Sequence, residues 1–190
     1  MKVYEAIMNR RTIRKFRQEP VKREDIIKII DCARMSAFGA NIQPLKYAVI
    51  EGKEKTDKIY PLTKWAGYIA GWEPAEDERP TAYIAVLADT KIKPAEKTET
   101  DSGAAVTSMM LEAFELGLGT CWLGAIDREG IKKALNIDDR FHVAYLLALG
   151  YPAQTGEVFD MQDNDLHYYF DGQGNVRVPK RTLEEVIVEL

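Results

Sequence analysis

Two eight-residue runs, 81–88 (TAYIAVLA) and 143–150 (VAYLLALG), are almost free of polar side chains. They fall well short of the roughly 18 apolar residues that a membrane-spanning helix needs. Their length and β-branched content suit strands buried in a sheet. A chain holding two such strands has to supply the layers that cover them.

The segments between and around them do so. Residues 2–10 read as a short helix with Val3, Ala6 and Ile7 on one face, and 22–35 as a stronger one, with Ile26, Ile27, Ile30, Ala33 and Arg34 spaced by threes and fours. Residues 46–50 suit a short strand and 53–63 a short helix, whereas 90–99 are polar and loop-like. The longest helix is expected over 101–116, where small residues such as Ala104, Ala105, Ser108 and Ala113 favour close packing and Gly117 and Gly119 follow as C-terminal caps. Residues 121–126 read as extended and 128–135 as a short helix. Residues 154–180 look irregular and polar, with turn signals at Asp171-Gly172 and Gly174-Asn175. Thr182 followed by Glu185 has the spacing of a capping box that opens a last helix. The order α, α, β, α, β, α, β, α, β, then an arm, predicts an α+β or mixed α/β sandwich. No GxGxxG follows an early strand, which disfavours a Rossmann fold.

The 190 residues read as one domain, 1–190, able to bury roughly 70% of the unfolded surface without a staple. Residues 154–190 are hard to place on a single subunit and are expected to extend over a partner. The charge sum, 26 Lys+Arg against 30 Asp+Glu, gives −4 and argues against a general nucleic-acid binder. Glu5 and Asn9 sit where a signal peptide would have its apolar centre. Cys32 and Cys121 form no CxxC pair, and the two histidines, His142 and His167, do not suggest a metal site. The expectation is a soluble cytoplasmic protein with no membrane, nucleic-acid or metal partner.

Four segments offer chemistry, and each has a plainer reading beside it. Arg10-Arg11-Thr12-Ile13-Arg14-Lys15 packs guanidinium forks and a hydroxyl suited to phosphate, or else it complements the C-terminal dipole of the first helix. Gly39-Ala40-Asn41-Ile42-Gln43-Pro44 offers two amides that could read the edge of a heterocycle, or it is an ordinary turn. The run 117–124 (GLGTCWLG) has three glycines that let backbone approach a flat ligand, or it is a helix cap leading into a strand. Pro179-Lys180-Arg181 precedes a helix and could meet a phosphate, or it is solvated surface. No candidate base follows Cys121, so it is not proposed as a nucleophile.

Taken in order, RRTIRKF, the Asn-x-Gln-Pro loop, GLGTCWLG and PKRTLEE resemble the nitroreductase-like flavoproteins over nearly the whole chain. The short members of that family are especially similar, through Lys64 to Gly67 and Pro80 to Ile84. The resemblance implies an α+β homodimer: a nitroreductase-like sandwich with a mixed, mainly antiparallel central sheet and an exchanged C-terminal arm. It implies two bound FMN molecules at the subunit interface. Arg10, Arg11, Thr12 and Arg14 match the residues that hold the phosphate, ribityl chain and pyrimidine edge, and Lys180 and Arg181 match a basic pair at the same phosphate. Trp122, Leu123 and Gly124 match the turn facing flavin N5, and Ala37, Phe38, Asn41 and Gln43 match the loop contributed by the other subunit. The chain departs from the family at Ala37 and Phe38, where a proline and a serine are usual, so a ring replaces a flavin-bonding hydroxyl.

The implied activity is ping-pong hydride transfer from NADH or NADPH to a small-molecule acceptor of nitroaromatic or quinone type. It needs no side-chain acid or base, because flavin chemistry is the cofactor's own. Arg14 is the residue expected to tune it: a unit charge at 4 Å is worth about 4 kcal/mol at an effective dielectric of 20, a ceiling of roughly 90 mV for a two-electron couple. The stretch holding Trp65, Tyr68 and Trp72 reads either as a lid or as core and dimer contacts. Two other functional readings stay open: a flavin-binding sensor without turnover, and a structural domain without flavin.

Overall fold

The computed structural model describes residues 2–189. In chain order its elements are α1 (Val3–Asn9), β1 (Phe16–Arg17), α2 (Arg23–Arg34), β2 (Leu45–Glu51), α3 (Lys53–Ile59), β3 (Ala82–Asp89), α4 (Glu99–Glu115), β4 (Gly119–Leu123), α5 (Arg128–Ala134), β5 (Phe141–Pro152), β6 (Gly156–Asp160), β7 (Tyr169–Phe170), β8 (Val176–Lys180) and α6 (Leu183–Val186).

The two apolar runs become β3 and β5, paired antiparallel, with β2 antiparallel on the far side of β3. The other edge of β5 is shared: β4 covers it from Leu146 to Gly150, and β1 continues it at Tyr151 and Pro152. These ladders are all antiparallel, and the bridge between Thr12 and Thr120 adds a parallel contact that makes the sheet mixed.

Every residue of β3 is buried, and its alternating side chains divide two cores. Ala82, Ile84 and Val86 join Ile26, Ile29 and Met109 of α2 and α4, while Tyr83, Ala85 and Leu87 join Ile59 and Ile131 of α3 and α5. The sheet is therefore the middle of three layers, as period-two alternation between two apolar faces requires. A bulge in β5 opposite Val86 and Leu87 leaves Ala144 without a register partner. Asp89 closes β3 fully buried; Arg140 Nε donates to it at 2.8 Å and Nη2 donates to its other oxygen. Those bonds hold the Asp89 carboxyl below the usual carboxylate range.

Gly117 caps α4 with φ +75°: its N–H donates to Phe114 O and that of Leu118 to Ala113 O, a Schellman arrangement. Gly119 is not a second cap. It begins β4, and a Cβ there would lie 2.8 Å from Ile13 Cβ, so glycine allows the two segments to touch.

The arm differs from the irregular segment expected over 154–180. β6 and β8 pair in parallel and β7 joins β8 antiparallel, forming a small second sheet. The last helix does open on the capping box, with Thr182 Oγ1 accepting from the Glu185 N–H at 3.3 Å. Among the described residues, no helix is long and apolar enough to cross a membrane.

Candidate active site

Helix α1 stops at Asn9, and Arg10 turns extended at φ −60°, ψ 130°. The Ile13 N–H donates to Thr120 O at 2.9 Å, fixing this segment along β4. Successive side chains of an extended segment face opposite ways, which separates Arg10, Thr12 and Arg14 from Arg11 and Ile13. Arg10 is half-buried beside Met110, with Nη1 4.0 Å from the sulfur, and burial lowers its pKa. Arg14 lies over the Tyr168 ring, 4.4 Å from its centroid. Arg11 turns behind the strand and donates to the carbonyls of Arg10 and Met8. Burial first, and Arg10's charge second, lower its pKa. Here the helix-end reading of the sequence holds for Arg11, which satisfies carbonyls left free at the end of α1.

No carboxylate pairs with Arg10, Arg11 or Arg14 among the described residues. Arg17, Arg23, Arg34, Arg140, Arg177 and Arg181 each have one within 4 Å. In a chain of net charge −4, three unpaired guanidinium groups within five residues form a local positive field.

The turn after β4 lies further along the same strand. Leu123 is buried, whereas Trp122 and Gly124 are exposed, and Trp122 meets Tyr145 edge-to-face at 5.1 Å. Arg128 Nη2 donates to Gly124 O at 3.3 Å and Ala144 O at 3.2 Å, clamping the turn to β5. Burial pushes the Cys121 thiol up to about 11, so it is no nucleophile at neutral pH.

The loop after α2 carries Ala40, Asn41 and Gln43 at positive φ (48°, 53° and 53°), a conformation that non-glycine residues seldom adopt. Gln43 Nε2 donates to Asn41 O and Oδ1. The Gly39 N–H donates at 3.2 Å to Asp101, which also accepts from Lys93 at 2.6 Å. Ala37 is exposed, while Phe38 is half-buried and packs on the core between α2 and α4. Its ring anchors the loop to its own chain.

Lys180 and Arg181 stand at the far end of the arm. Gly156, whose Cβ would meet Arg11, pairs with Val176, and Asp160 pairs with Lys180. Four residues of strand, roughly 13 Å, separate those pairs. Arg181 Nη1 donates to Asn164 Oδ1 at 3.0 Å. The structure therefore groups Arg10, Thr12, Arg14 and the Trp122–Gly124 turn along one strand edge. Lys180 and Arg181, and the loop from Ala37 to Gln43, stand apart from that group.

The aromatic stretch divides. Trp65 is core, its indole N–H donating to Thr63 Oγ1 at 2.9 Å. Tyr68 packs on His167 and Tyr168 of the arm, and Trp72 on Phe170. Reading the sequence missed Tyr168, Arg128 and Asp101. Each acts through a contact distant in sequence that no local motif marks.

The chain belongs to the nitroreductase family, whose model matches residues 7–151. Its architecture is the α+β fold of that family. It is similar to a Methanothermobacter thermautotrophicus protein provisionally named NADH dehydrogenase/NAD(P)H nitroreductase, with 30% identity over 169 residues, 87% of this chain and 85% of that one. A Desulfovibrio desulfuricans protein, described provisionally as a nitroreductase and crystallised in complex with FMN, shares 27% identity at a TM-score of 0.75. That match covers 100% of this chain and 97% of the other. A nitroreductase family protein from Clostridium novyi shares 29% identity at a TM-score of 0.68, covering 80% and 86% of the two chains.

Proposed function

We propose that this protein is an FMN-dependent oxidoreductase that uses NAD(P)H to reduce an organic acceptor of nitroaromatic or quinone type. The observation that carries the reading is the group of unpaired arginines beside an exposed glycine turn, which fits an anionic, flat cofactor. The FMN-bound relative and the NAD(P)H nitroreductase name of another support it.

When bound, FMN would supply hydride transfer between the nicotinamide and the acceptor. Arg10 and Thr12 would hold the phosphate without Lys180 and Arg181, which stand apart from them in this structure. Arg11 keeps Arg10 in place by bonding its carbonyl. Arg14 would face the pyrimidine edge and stabilise negative charge there, with Tyr168 fixing its plane. The backbone of Trp122, Leu123 and Gly124 would line the ring, and Arg128 keeps that turn still. Ala37, Phe38, Asn41 and Gln43 would come from a second subunit, with Asp101 bracing their loop.

A homodimer fits the uncovered apolar faces. Val3, Tyr4, Ile7 and Met8 of α1 are more than half exposed, as are Leu183, Val186, Ile187 and Val188 at the other end. Isolated exposed apolar residues are ordinary, but two contiguous stretches mark a contact surface.

The test is anaerobic. NADH or NADPH should bleach the visible flavin absorption of the purified protein, and a quinone or nitrofuran should restore it. A flavin that binds but resists both donors would favour a sensor. Purified protein that takes up no flavin would favour a structural domain.

A further inference from the structure

The turn after β4 sends its carbonyls one way and its N–H groups the other. Arg128 Nη2 donates to Gly124 O at 3.3 Å, and the Lys64 N–H donates to Ala125 O at 2.9 Å. The peptide bonds here are trans, and a planar trans unit holds its C=O and N–H in opposite directions. Fixing the Gly124 carbonyl therefore aims the Ala125 N–H away from Arg128, and fixing the Ala125 carbonyl does the same for the Ile126 N–H away from Lys64. Among the described residues, the N–H groups of Gly124, Ala125 and Ile126 have no acceptor. Gly124 and Ala125 are exposed and Ile126 is partly buried. A backbone N–H is an obligatory donor, so this row of donors is open to an acceptor from outside the chain.

The two fixed carbonyls are held by different means. That of Ala125 belongs to a backbone bridge between Thr63 and Ile126, which the Asp127 N–H closes by donating to Leu62 O at 2.8 Å. That of Gly124 lies beyond the ladder, because β4 and β5 last pair at Leu123 and Leu146. On the β5 side, the bulge leaves Ala144 without a register partner. Arg128, in the first turn of α5, spans this gap. The Nη2 that reaches Gly124 O also donates to Ala144 O at 3.2 Å. Among the described residues these are the only hydrogen bonds of the Arg128 side chain. One guanidinium nitrogen thus ties a carbonyl of the turn to a carbonyl freed by the bulge.

We propose that Arg128 is a positioning residue for the flavin, holding the Gly124 carbonyl back so that the Ala125 N–H is presented to an acceptor atom of the ring. Without the guanidinium the Gly124–Ala125 peptide is free to turn over. A carbonyl would then stand where the donor stood and repel the ring's own acceptor atoms. Arg128 itself touches no cofactor and acts through the peptide it orients. The proposal rests on the FMN reading above and adds to it the residue that sets the polarity of the turn.

The experiment is amide hydrogen exchange, resolved by nuclear magnetic resonance, on the purified protein with and without FMN. In the unaltered protein FMN should slow exchange at Ala125 and Ile126, an arm that does not hang on a variant folding. Arg128→Met keeps an unbranched apolar stem and removes every donor. It should cut the FMN-dependent protection of Ala125 by about ten- to a hundredfold, the effect of losing one charge-assisted hydrogen bond. Protection of Ile126 should persist, because the Lys64 N–H and not Arg128 orients its peptide. A merely structural role for Arg128 would loosen both amides together. Equal loss at Ala125 and Ile126, or an Ala125 amide unaffected by Arg128→Met, would overturn the proposal. FMN bound with Ala125 unprotected in the unaltered protein would overturn this proposal alone, whereas protein that takes up no FMN would overturn the flavin reading beneath it.

Discussion

β3 and the segment after β8 are both rich in aliphatic side chains, and they end in opposite surroundings. No residue of β3 exceeds 6% exposure, whereas Leu183, Val186, Ile187 and Val188 are exposed by 56–79%. Burying an aliphatic side chain is worth roughly 1.5–3 kcal/mol. The sheet gains this from its own helices on both faces. The C-terminal segment and α1 leave it ungained within one chain, and the proposed homodimer would cover them. The proposed flavin groove begins where α1 ends, at Arg10 and Arg14, which lack the carboxylates that Arg17, Arg23, Arg34, Arg140, Arg177 and Arg181 have found.

The largest expected effect falls on those apolar stretches. The double change Val186→Asp with Ile187→Asp should convert a dimer to a monomer by light scattering, with little change in far-ultraviolet circular dichroism. A dimer that persists would place the interface elsewhere. Next comes the sheet. A Cβ at Gly150 would lie 2.8 Å from Cδ1 of fully buried Phe16, so Gly150→Ala should cost about 1–3 kcal/mol in denaturant unfolding. Gly172→Ala in the arm meets nothing within 4 Å and should stay within about 0.5 kcal/mol of the parent. Equal effects would erase the contrast between the two regions.

A smaller effect is electrostatic. Arg14→Met should lower the flavin midpoint potential by a fraction of the roughly 90 mV ceiling, because Arg14 is half-exposed. An unmoved potential would take Arg14 away from the ring. The smallest is a pH effect in the sheet. The pKa of Asp89 in the folded chain is depressed, mainly by Arg140, so the stability it confers is present above its unfolded value of about 4 and lost as pH falls through the folded one. Asp89→Asn should therefore flatten the pH dependence of the unfolding midpoint below about pH 4. An unchanged slope would show that Asp89 does not contribute.

Legibility followed the same division. The runs at 81–88 and 143–150 and the spacing of Ile26, Ile30 and Ala33 mark the sheet and a covering helix, because burial on fixed faces imposes a period. β1, with two residues, is too short to show one. β6 and β8 pair across the stretch 161–175, which holds β7, and GEVFD and VRVPK carry little apolar alternation. In the site, the basic run was visible as composition, yet the opposite facing of Arg10 and Arg11 is set by where α1 stops. The placement of Phe38 on the α2–α4 core, and of Tyr168 over Arg14, depends on long-range packing that no local pattern encodes.

The proposed cofactor-phosphate site rests on Arg10, so FMN affinity in Arg10→Ala tests it. A charge-assisted hydrogen bond is worth roughly 1.5–3 kcal/mol, so the dissociation constant measured by flavin fluorescence should rise about ten- to a hundredfold. The unfolding midpoint of the flavin-free protein should stay close to that of the parent. Affinity equal to the parent's would contradict the proposed site and leave Arg10 without an anion to hold.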